Sequence, residues 1–243
     1  MDIIKVDAID STNTFLRDMN REKNLVKPVC VIAREQLKGK GQIGTTWQSN
    51  PGENLTCSVF MPIDELGVMD QFYISMTVSL AVYDVLDRLM LPKLSIKWPN
   101  DILSDRYKIC GILIENVVNN GRLRGAIVGI GINVNQQDFY NLPRAGSIRK
   151  ILGQRFSLDE MLSLLLTKIE YRFSVLNTSV FTILKKEYES LLFRKNKPST
   201  FLDAKGNSFV GIIQDVTTFG KLQILLEDEI IQSFDLKEVS LLY

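Results

Sequence analysis

The stretch "KICGILIENVVNNGRLRGAIVGIGINVN", residues 108–135, decides the fold because it describes two apolar strands joined by a short polar turn. The turn sequence NNG at 119–121 is a strong signal for a β-hairpin. Strict alternation along the first strand places Lys108 and Glu115 on opposite faces unless a bulge intervenes. The stretch therefore predicts an antiparallel pair of strands that carries polar side chains at its ends.

Patterns on either side of this hairpin predict the other elements of a larger domain. Apolar residues at helical spacing predict a long helix over 69–90, and Ser157 with Glu160 forms a capping box that starts another. Ser11 or Thr12 is placed to cap a first helix. Further strands are predicted at 2–9, 28–36, 55–62 and 94–99, and a last helix at 180–193.

Beyond residue 193 the pattern changes to short strands separated by turn signals at 205–207 and 219–221. This is typical of a small all-β unit. We therefore expect two domains, a larger one over 1–193 and a small one over 194–243.

Composition excludes several classes of function. The chain has 29 basic and 28 acidic residues, a net charge of +1, so it has no global field for nucleic acid or an anionic membrane. It contains no histidine, which removes the most common general base and metal ligand. Any chemistry must use lysines, carboxylates, backbone amides or a borrowed metal ion.

The sequence predicts a soluble, cytoplasmic protein. The N-terminal residues have no apolar signal core, and no uncharged run reaches the length that spans a bilayer. Cys30, Cys57 and Cys110 lie far apart in apolar runs, without the spacing of a zinc site or a disulfide framework. Buried free thiols in a reducing compartment are expected.

Residues 37–54 form a Gly-, Ser- and Asn-rich loop that is long for a compact domain. Its sequence GKGQIG supplies amides that can face an anion, but it lacks the spacing of a P-loop. A flexible glycine loop explains this segment equally well when it is taken alone.

The sequence "KWPND", residues 97–101, leaves Lys97, Asn100 and Asp101 at a strand end, where binding sites tend to be built. An ordinary Asn-Asp turn does not explain Lys97 or Lys108 inside apolar runs, because a lysine there needs an anionic partner. For Glu115 a structural pairing with a basic residue is favoured over a catalytic role. The glycines of "GIGINVN" offer a flat surface for a ligand, although close strand packing explains them nearly as well.

Five segments, in this order, resemble the biotin protein ligases: "DSTN" (10–13), "REQLKGKGQIGTTW" (34–47), "KWPND" (97–101), "KICGILIE" (108–115) and "GIGINVN" (129–135). The resemblance implies an α+β fold with a mixed, mainly antiparallel sheet flanked by helices, similar to class II aminoacyl-tRNA synthetases, and a small C-terminal SH3-like β-barrel. It implies a short form without the family's N-terminal DNA-binding domain. DNA and membrane are therefore not expected as partners, and whether the chain forms a homodimer is left open.

The resemblance also implies the reaction. Biotin and ATP, with Mg²⁺ held mainly by the ATP phosphates, would give biotinyl-5'-AMP, and the biotin would pass to a lysine of a biotin carboxyl carrier protein. The implied catalytic residues are Lys108, Asp101 and Lys97. The implied biotin-binding residues are Ser11, Thr12, Asn13, Gln36, Gly39, Lys40 and Gly111. The implied nucleotide-binding residues are Gly41, Gln42, Trp47, Asn100, Gly131 and Asn133.

The loop departs from the family pattern, which is the arginine-rich GRGRxGR where this chain has GKGQIGT. Lys40 is a point charge, and Gln42 and Thr45 carry none, so a weaker grip on phosphate is expected. Two alternatives stay open. One is a lipoate or octanoate ligase, which usually shows a histidine motif; the other is a non-catalytic binder of biotin or of a carrier domain.

Overall fold

The computed structural model describes residues 1–42 and 44–243 and confirms an α+β fold built on a seven-stranded mixed sheet. Its strands are β1 (Asp2–Ile9), β2 (Val29–Gln36), β3 (Leu55–Pro62), β4 (Leu94–Lys97), β5 (Asp101–Ser104), β6 (Tyr107–Asn119) and β7 (Arg122–Ile132). They lie in the order β1-β2-β3-β7-β6-β5-β4. Strands β1 and β2 are parallel, and the other pairs are antiparallel. The predicted hairpin is thus the β6–β7 pair near the middle of the sheet.

Helices cover both faces of this sheet. They are α1 (Thr12–Lys23), α2 (Gln71–Arg88), α3 (Ile148–Leu152), α4 (Leu158–Ser174) and α5 (Phe181–Ser190). Ser11 and Ser157 cap α1 and α4 as predicted, each accepting a hydrogen bond from a backbone N–H of the first turn. Helix α3 was not predicted, because five residues are too few to show a helical period. Among the described residues, no helix has the length and apolarity that crossing a bilayer requires.

The hydrophobic core lies in two layers. Leu16 of α1 packs with Val31 and Phe60 on one face of the sheet. A larger cluster on the other face includes Ile74 and Leu80 of α2. The three cysteines are buried free thiols, as the sequence predicts.

A β-bulge decides which way Lys108 points. Ile102 of β5 pairs with Cys110, whereas the next residue, Leu103, pairs with Lys108, so Ile109 is an extra residue in β6. A Cβ placed on Gly111 would lie 3.1 Å from Lys108 Cε, which shows that the two residues share one face. The bulge therefore reverses the outcome of strict alternation and brings Lys108 to the face that carries Glu115.

A second, antiparallel sheet follows α5. Its strands are β8 (Pro198–Asp203), β9 (Ser208–Val216), β10 (Leu222–Leu225), β11 (Ile231–Phe234) and β12 (Val239–Leu242), in the order β11-β10-β9-β8-β12. The two predicted turns are confirmed, with Gly206 and Gly220 at positive φ of 85° and 90°. The barrel that the resemblance implies is not closed, since β11 and β12 stay at opposite edges within the described part of the chain.

Two hydrogen bonds join the second sheet to the rest of the fold. Trp98 Nε1 donates a hydrogen bond to the Gly220 carbonyl at 2.9 Å. The Val216 backbone N–H donates to the Glu189 carboxylate at 3.0 Å. Phe201 of β8 lies in the same apolar cluster as α2 and α4. The second sheet therefore packs as part of one continuous core.

Arg172 ties three helices together, and its removal should destabilise the fold. It donates to Asp84 of α2 at 2.9 Å and to Glu187 of α5 at 2.7 Å, with its side chain 14% exposed. We expect Arg172→Met to lower the free energy of unfolding by about 2 kcal/mol, because two carboxylates lose a partly buried partner. Urea denaturation measures this change.

The matched control is Lys5→Met, whose ion pair with Asp159 is exposed at both ends. We expect a change below about 0.5 kcal/mol for this control. Equal losses from the two variants would contradict a structural role for the Arg172 network.

Candidate functional site

A row of four residues forms the floor of the site. Thr56, Gly131, Gly111 and Asp101 are directly paired across β3, β7, β6 and β5. The two central positions have no side chain, so the floor is flat there. A Cβ on Gly131 would overlap the Trp47 indole, and one on Gly111 would lie 3.1 Å from it. The Trp47 ring therefore rests directly on the glycine floor.

The glycine loop that carries Trp47 folds into a short irregular hairpin. Gly41 donates its N–H to the Thr45 carbonyl at 2.9 Å, and Trp47 donates to the Gly39 carbonyl at 3.0 Å. Ile43, within the predicted loop 37–54, lies outside the described residues. These two bonds close the hairpin that carries the indole.

One end of the floor is a neutral hydrogen-bonding pocket. Thr12 donates to Gln36 Oε1 from its backbone N–H at 2.7 Å and from its hydroxyl at 3.0 Å. Ser58 Oγ lies 2.6 Å from Thr12 Oγ1 and 2.5 Å from Asn13 Oδ1. These groups hold one another in place, so the pocket is organised by its own hydrogen bonds.

Glu115 supports this pocket from the side. It accepts a hydrogen bond from Asn13 Nδ2 at 3.0 Å and pairs with Arg17 at 2.9 Å. The predicted structural pairing of Glu115 with a basic residue is therefore confirmed. Its effect on the site is to orient Asn13.

The other end of the floor is cationic. Lys108 Nζ lies 2.7 Å from Asp101 Oδ1, so the two side chains form an ion pair. Lys97 has its pKa lowered, chiefly by burial and further by the nearby charges of Lys108 and Arg144, although Asp101 opposes the shift. The lysines face one carboxylate between them, which leaves excess positive charge.

Three predicted site residues form hydrogen bonds within the protein's own main chain or to it. Asn100 Nδ2 donates to the Ile112 carbonyl at 2.8 Å and locks the turn before β5 to β6. Asn133 Nδ2 donates to the Lys108 carbonyl at 3.3 Å. Gly39 closes the loop hairpin. Neither Asn133 nor Gly39 lines the cavity above the floor.

A single cavity of about 530 Å³ contains both ends of the floor. All the other site residues predicted from the sequence line it. Counted over the described residues, its wall carries five cationic side chains and one carboxylate: Lys40, Lys97, Lys108, Arg144, Lys237 and Asp101. The described part of the chain has no cluster of three metal-ligating side chains. The cavity thus suits a ligand that is neutral at one end and anionic at the other.

The sequence patterns did not indicate three of the residues in this cavity region. Ser58 sits in an apolar strand, where the alternation of β3 gives it the same face as Thr56. Arg144 lies in an irregular stretch, and Tyr243 is separated from the other site residues by the whole second sheet. No local pattern marks either Arg144 or Tyr243.

The comparisons with known proteins agree with this arrangement. The model of the biotin/lipoate A/B protein ligase family matches residues 6–133, and the chain belongs to this family. It is 30% identical over 192 residues to the bifunctional ligase/repressor BirA of Bacillus spizizenii, covering 77% of this chain and 58% of that protein. It is 34% identical over 127 residues to a biotin–[acetyl-CoA-carboxylase] ligase of Paracoccus denitrificans, 51% of each chain. The matches thus span a little over half the length of these curated relatives.

Solved structures extend the likeness to both sheets. A biotin protein ligase from Aquifex aeolicus in complex with biotin and ATP has a TM-score of 0.79 at 25% identity, covering 99% of this chain and 98% of that one. A point mutant of the same ligase, in complex with biotin, gives a TM-score of 0.78 at 26% identity, covering 100% of this chain and 98% of that one. The similarity therefore includes the second sheet.

Gly131→Ala should displace Trp47. The new methyl group would occupy the position of the indole, so we expect the ring to move outward and its fluorescence emission to shift to longer wavelength. Gly129→Ala is the control, because a methyl group two residues away would meet Asn13 and not the indole. Identical emission spectra for the two variants would contradict the packing of Trp47 on Gly131.

Lys97→Met should stabilise the protein at pH 7. Burial lowers the Lys97 pKa, because folding removes the charged ammonium group from water. In the unfolded chain the same group stays hydrated. We expect the free energy of unfolding to rise, since an apolar side chain removes the cost of desolvating the charge.

The gain should fade as the pH rises from the lowered pKa towards 10.5, the ordinary value, because the unfolded chain then loses the same proton. Urea denaturation at pH 7 and pH 10 measures both effects. Lys27→Met, at an exposed lysine, should show neither. A destabilised Lys97→Met at pH 7 would contradict this account.

Proposed function

We propose that this chain is an ATP-dependent biotin protein ligase. It activates biotin as biotinyl-5'-AMP and transfers the biotin to a lysine of a biotin carboxyl carrier protein. The observation that carries the proposal is the single cavity whose neutral end, glycine floor and cationic end follow one another in a line. An adenylate of biotin has the same order of groups, with a ureido head, an apolar chain and a phosphate.

The relatives support biotin over lipoate as the acid. The two Aquifex aeolicus structures are named as biotin protein ligases, and one of them contains biotin and ATP. The chain also has no histidine, which the lipoate ligases usually show. A non-catalytic binder is less consistent with the site, because binding alone does not require both Lys97 and Lys108 near one carboxylate.

The neutral end binds the ureido head of biotin. Ser11, Thr12, Asn13 and Gln36 supply hydroxyl and amide groups that match its carbonyl and N–H edges. The existing hydrogen bonds among these side chains hold them ready. The apolar chain of biotin then crosses Gly111 and Gly131 in the space that the Trp47 ring occupies in this structure, so the ring moves aside when biotin binds.

The cationic end carries the chemistry. The biotin carboxylate displaces pyrophosphate from the α-phosphate, and the acceptor amine later displaces AMP, so no covalent enzyme nucleophile is needed. Lys108 stabilises the charge that develops on the phosphate and carboxylate oxygens, and Lys97 adds to the same field. The Asp101 carboxylate, beside Lys108, accepts a hydrogen bond from the incoming lysine.

Magnesium fits this site as a companion of ATP. Asp101 is the one carboxylate on the cavity wall within the described residues, so the phosphates must supply most of the ligands of a Mg²⁺ ion. Such an ion would neutralise phosphate charge there. The chain's own part is to bind and orient the ATP phosphates through its lysines.

The remaining expectations belong to this proposal. The second sheet is an SH3-like module, in keeping with its five short antiparallel strands. The boundary after residue 193 separates it from the catalytic domain. The carrier-protein partner and a cytoplasmic location follow from the reaction.

Mass spectrometry of a biotin-acceptor domain tests the function. The domain is incubated with this protein, MgATP and either biotin or lipoate, next to an acceptor without its target lysine. We expect a biotin adduct that depends on ATP and on that lysine. A lipoate adduct alone would reverse the choice of acid, and no adduct despite measurable biotin binding would favour the non-catalytic binder.

Lys108→Ala should abolish adenylation and leave biotin binding measurable. The substitution removes the cation beside Asp101 but does not touch the neutral end of the cavity. A loss of about 10²-fold or more in the rate of adenylate formation is expected for an electrostatic group of this kind. Lys93→Ala, at an exposed lysine paired with Asp105, is the control and should keep the wild-type rate. Unaltered turnover in Lys108→Ala would remove the mechanism.

A further inference from the structure

Arg144 lies at the cationic end of the cavity although it belongs to no helix or strand. Its carbonyl accepts the Lys108 backbone N–H at 2.7 Å, and Gly146 donates to the Lys108 carbonyl at 3.1 Å. Residues 144–146 thus lie alongside the start of β6 as a short parallel bridge. The backbone of Arg144 is therefore fixed next to the residue that is proposed to stabilise the transition state.

The ring of Tyr243 holds the Arg144 side chain. The guanidinium carbon lies 4.4 Å from the ring centroid, and Lys97 Nζ lies 5.5 Å from the same centroid. The edge of Phe193 packs against Tyr243 at a centroid distance of 5.1 Å. One aromatic ring therefore positions two cations and is itself held by a second ring.

Neither cation has a carboxylate within 4 Å among the described residues. Asp101 is paired with Lys108, and the Arg144 guanidinium lies on the face of the Tyr243 ring. An arginine in this situation has its planar donors available for an anion. Phosphate oxygens match that planar fork better than they match a lysine.

The glycine loop, which is expected to bind the phosphate, supplies little positive charge in this chain. Lys40 is the one cation between Gly39 and Trp47. Its Nζ donates to Thr14 Oγ1 at 2.9 Å on the exposed side of α1. A second source of positive charge is therefore needed at the phosphate end, and Arg144 is placed to provide it.

We propose that Arg144 binds the phosphate oxygens of ATP beyond the α-phosphate, and that Tyr243 is the positioning residue that holds the guanidinium there. The inference rests on the proposed function, since it assigns the triphosphate to the cationic end of the same cavity. It makes a residue that follows the second sheet part of nucleotide binding. It also accounts for a ligase loop that lacks arginines.

The test is biotin-dependent ATP–pyrophosphate exchange, with the KM for ATP and the KM for biotin measured separately. We expect Arg144→Gln to raise the KM for ATP by about tenfold, since it removes charge-assisted hydrogen bonds. The KM for biotin should stay within about twofold, because the neutral end is untouched. Arg144→Lys should recover part of the loss, as it restores charge without the fork.

Tyr243 is tested by what its ring does for Arg144. Tyr243→Leu should raise the KM for ATP, and Tyr243→Phe should raise it less because the ring face is kept. In the double variant with Arg144→Gln, replacing Tyr243 by Leu should add nothing further to the KM for ATP. A purely structural role for Tyr243 would instead add its own loss and would raise both KM values.

Arg106→Gln is the matched control. Arg106 also rests on a tyrosine, with its guanidinium carbon 5.6 Å from the Tyr107 centroid, but it lies outside the cavity. It should leave both KM values unchanged. A wild-type KM for ATP in Arg144→Gln, or equal increases for ATP and biotin, would overturn the proposal.

Calorimetric titration with MgATP separates this inference from the proposed function. Suppose that the protein forms no biotin adduct but binds MgATP more weakly after Arg144→Gln. This result would support the assignment of Arg144 and contradict the proposed ligase activity. If adducts form and the wild-type protein and Arg144→Gln bind MgATP equally, the result would support the proposed ligase activity and contradict the assignment of Arg144. Absence of any MgATP binding by the wild-type chain would overturn both.

Discussion

The register of four antiparallel strands is the constraint on which the site depends. Because β3, β7, β6 and β5 pair without slippage at the row through Gly131 and Gly111, two residues without side chains lie side by side in the sheet. A slip of one residue in either central strand would put an isoleucine or a cysteine into the row and remove the space on which Trp47 rests. The loop, the neutral pocket and the lysines are all placed relative to this flat surface.

Much of this arrangement could be predicted because its signals are local. The NNG turn, the serine caps of α1 and α4 and the strand periods each lie within a few residues of the structure they specify. The site residues lie mainly at strand ends and in one glycine-rich loop, where sequence also points to function. The ordered set of short segments then links parts of the chain that no single pattern connects.

The remaining features depend on residues far apart in sequence. The extra residue Ile109 is visible when β5 is known to pair with β6, so the direction of Lys108 could not be read from alternation alone. Arg144 is held by Tyr243, 99 positions away, through a contact that leaves no repeated pattern. The closed barrel was expected from a resemblance, and the pairing of its last short strands is not specified by any local signal.

Because of the hydrogen bond from Trp98 to Gly220, the packing of the second sheet and the shape of the site depend on each other. Trp98 belongs to the turn that carries Asn100 and Asp101, so packing of the second sheet and the shape of the cationic end share one contact. Thermodynamic reciprocity then requires that any ligand favoured by that shape also strengthens the packing, by the same factor. The indole thus joins the cationic end of the cavity to the turn between β9 and β10.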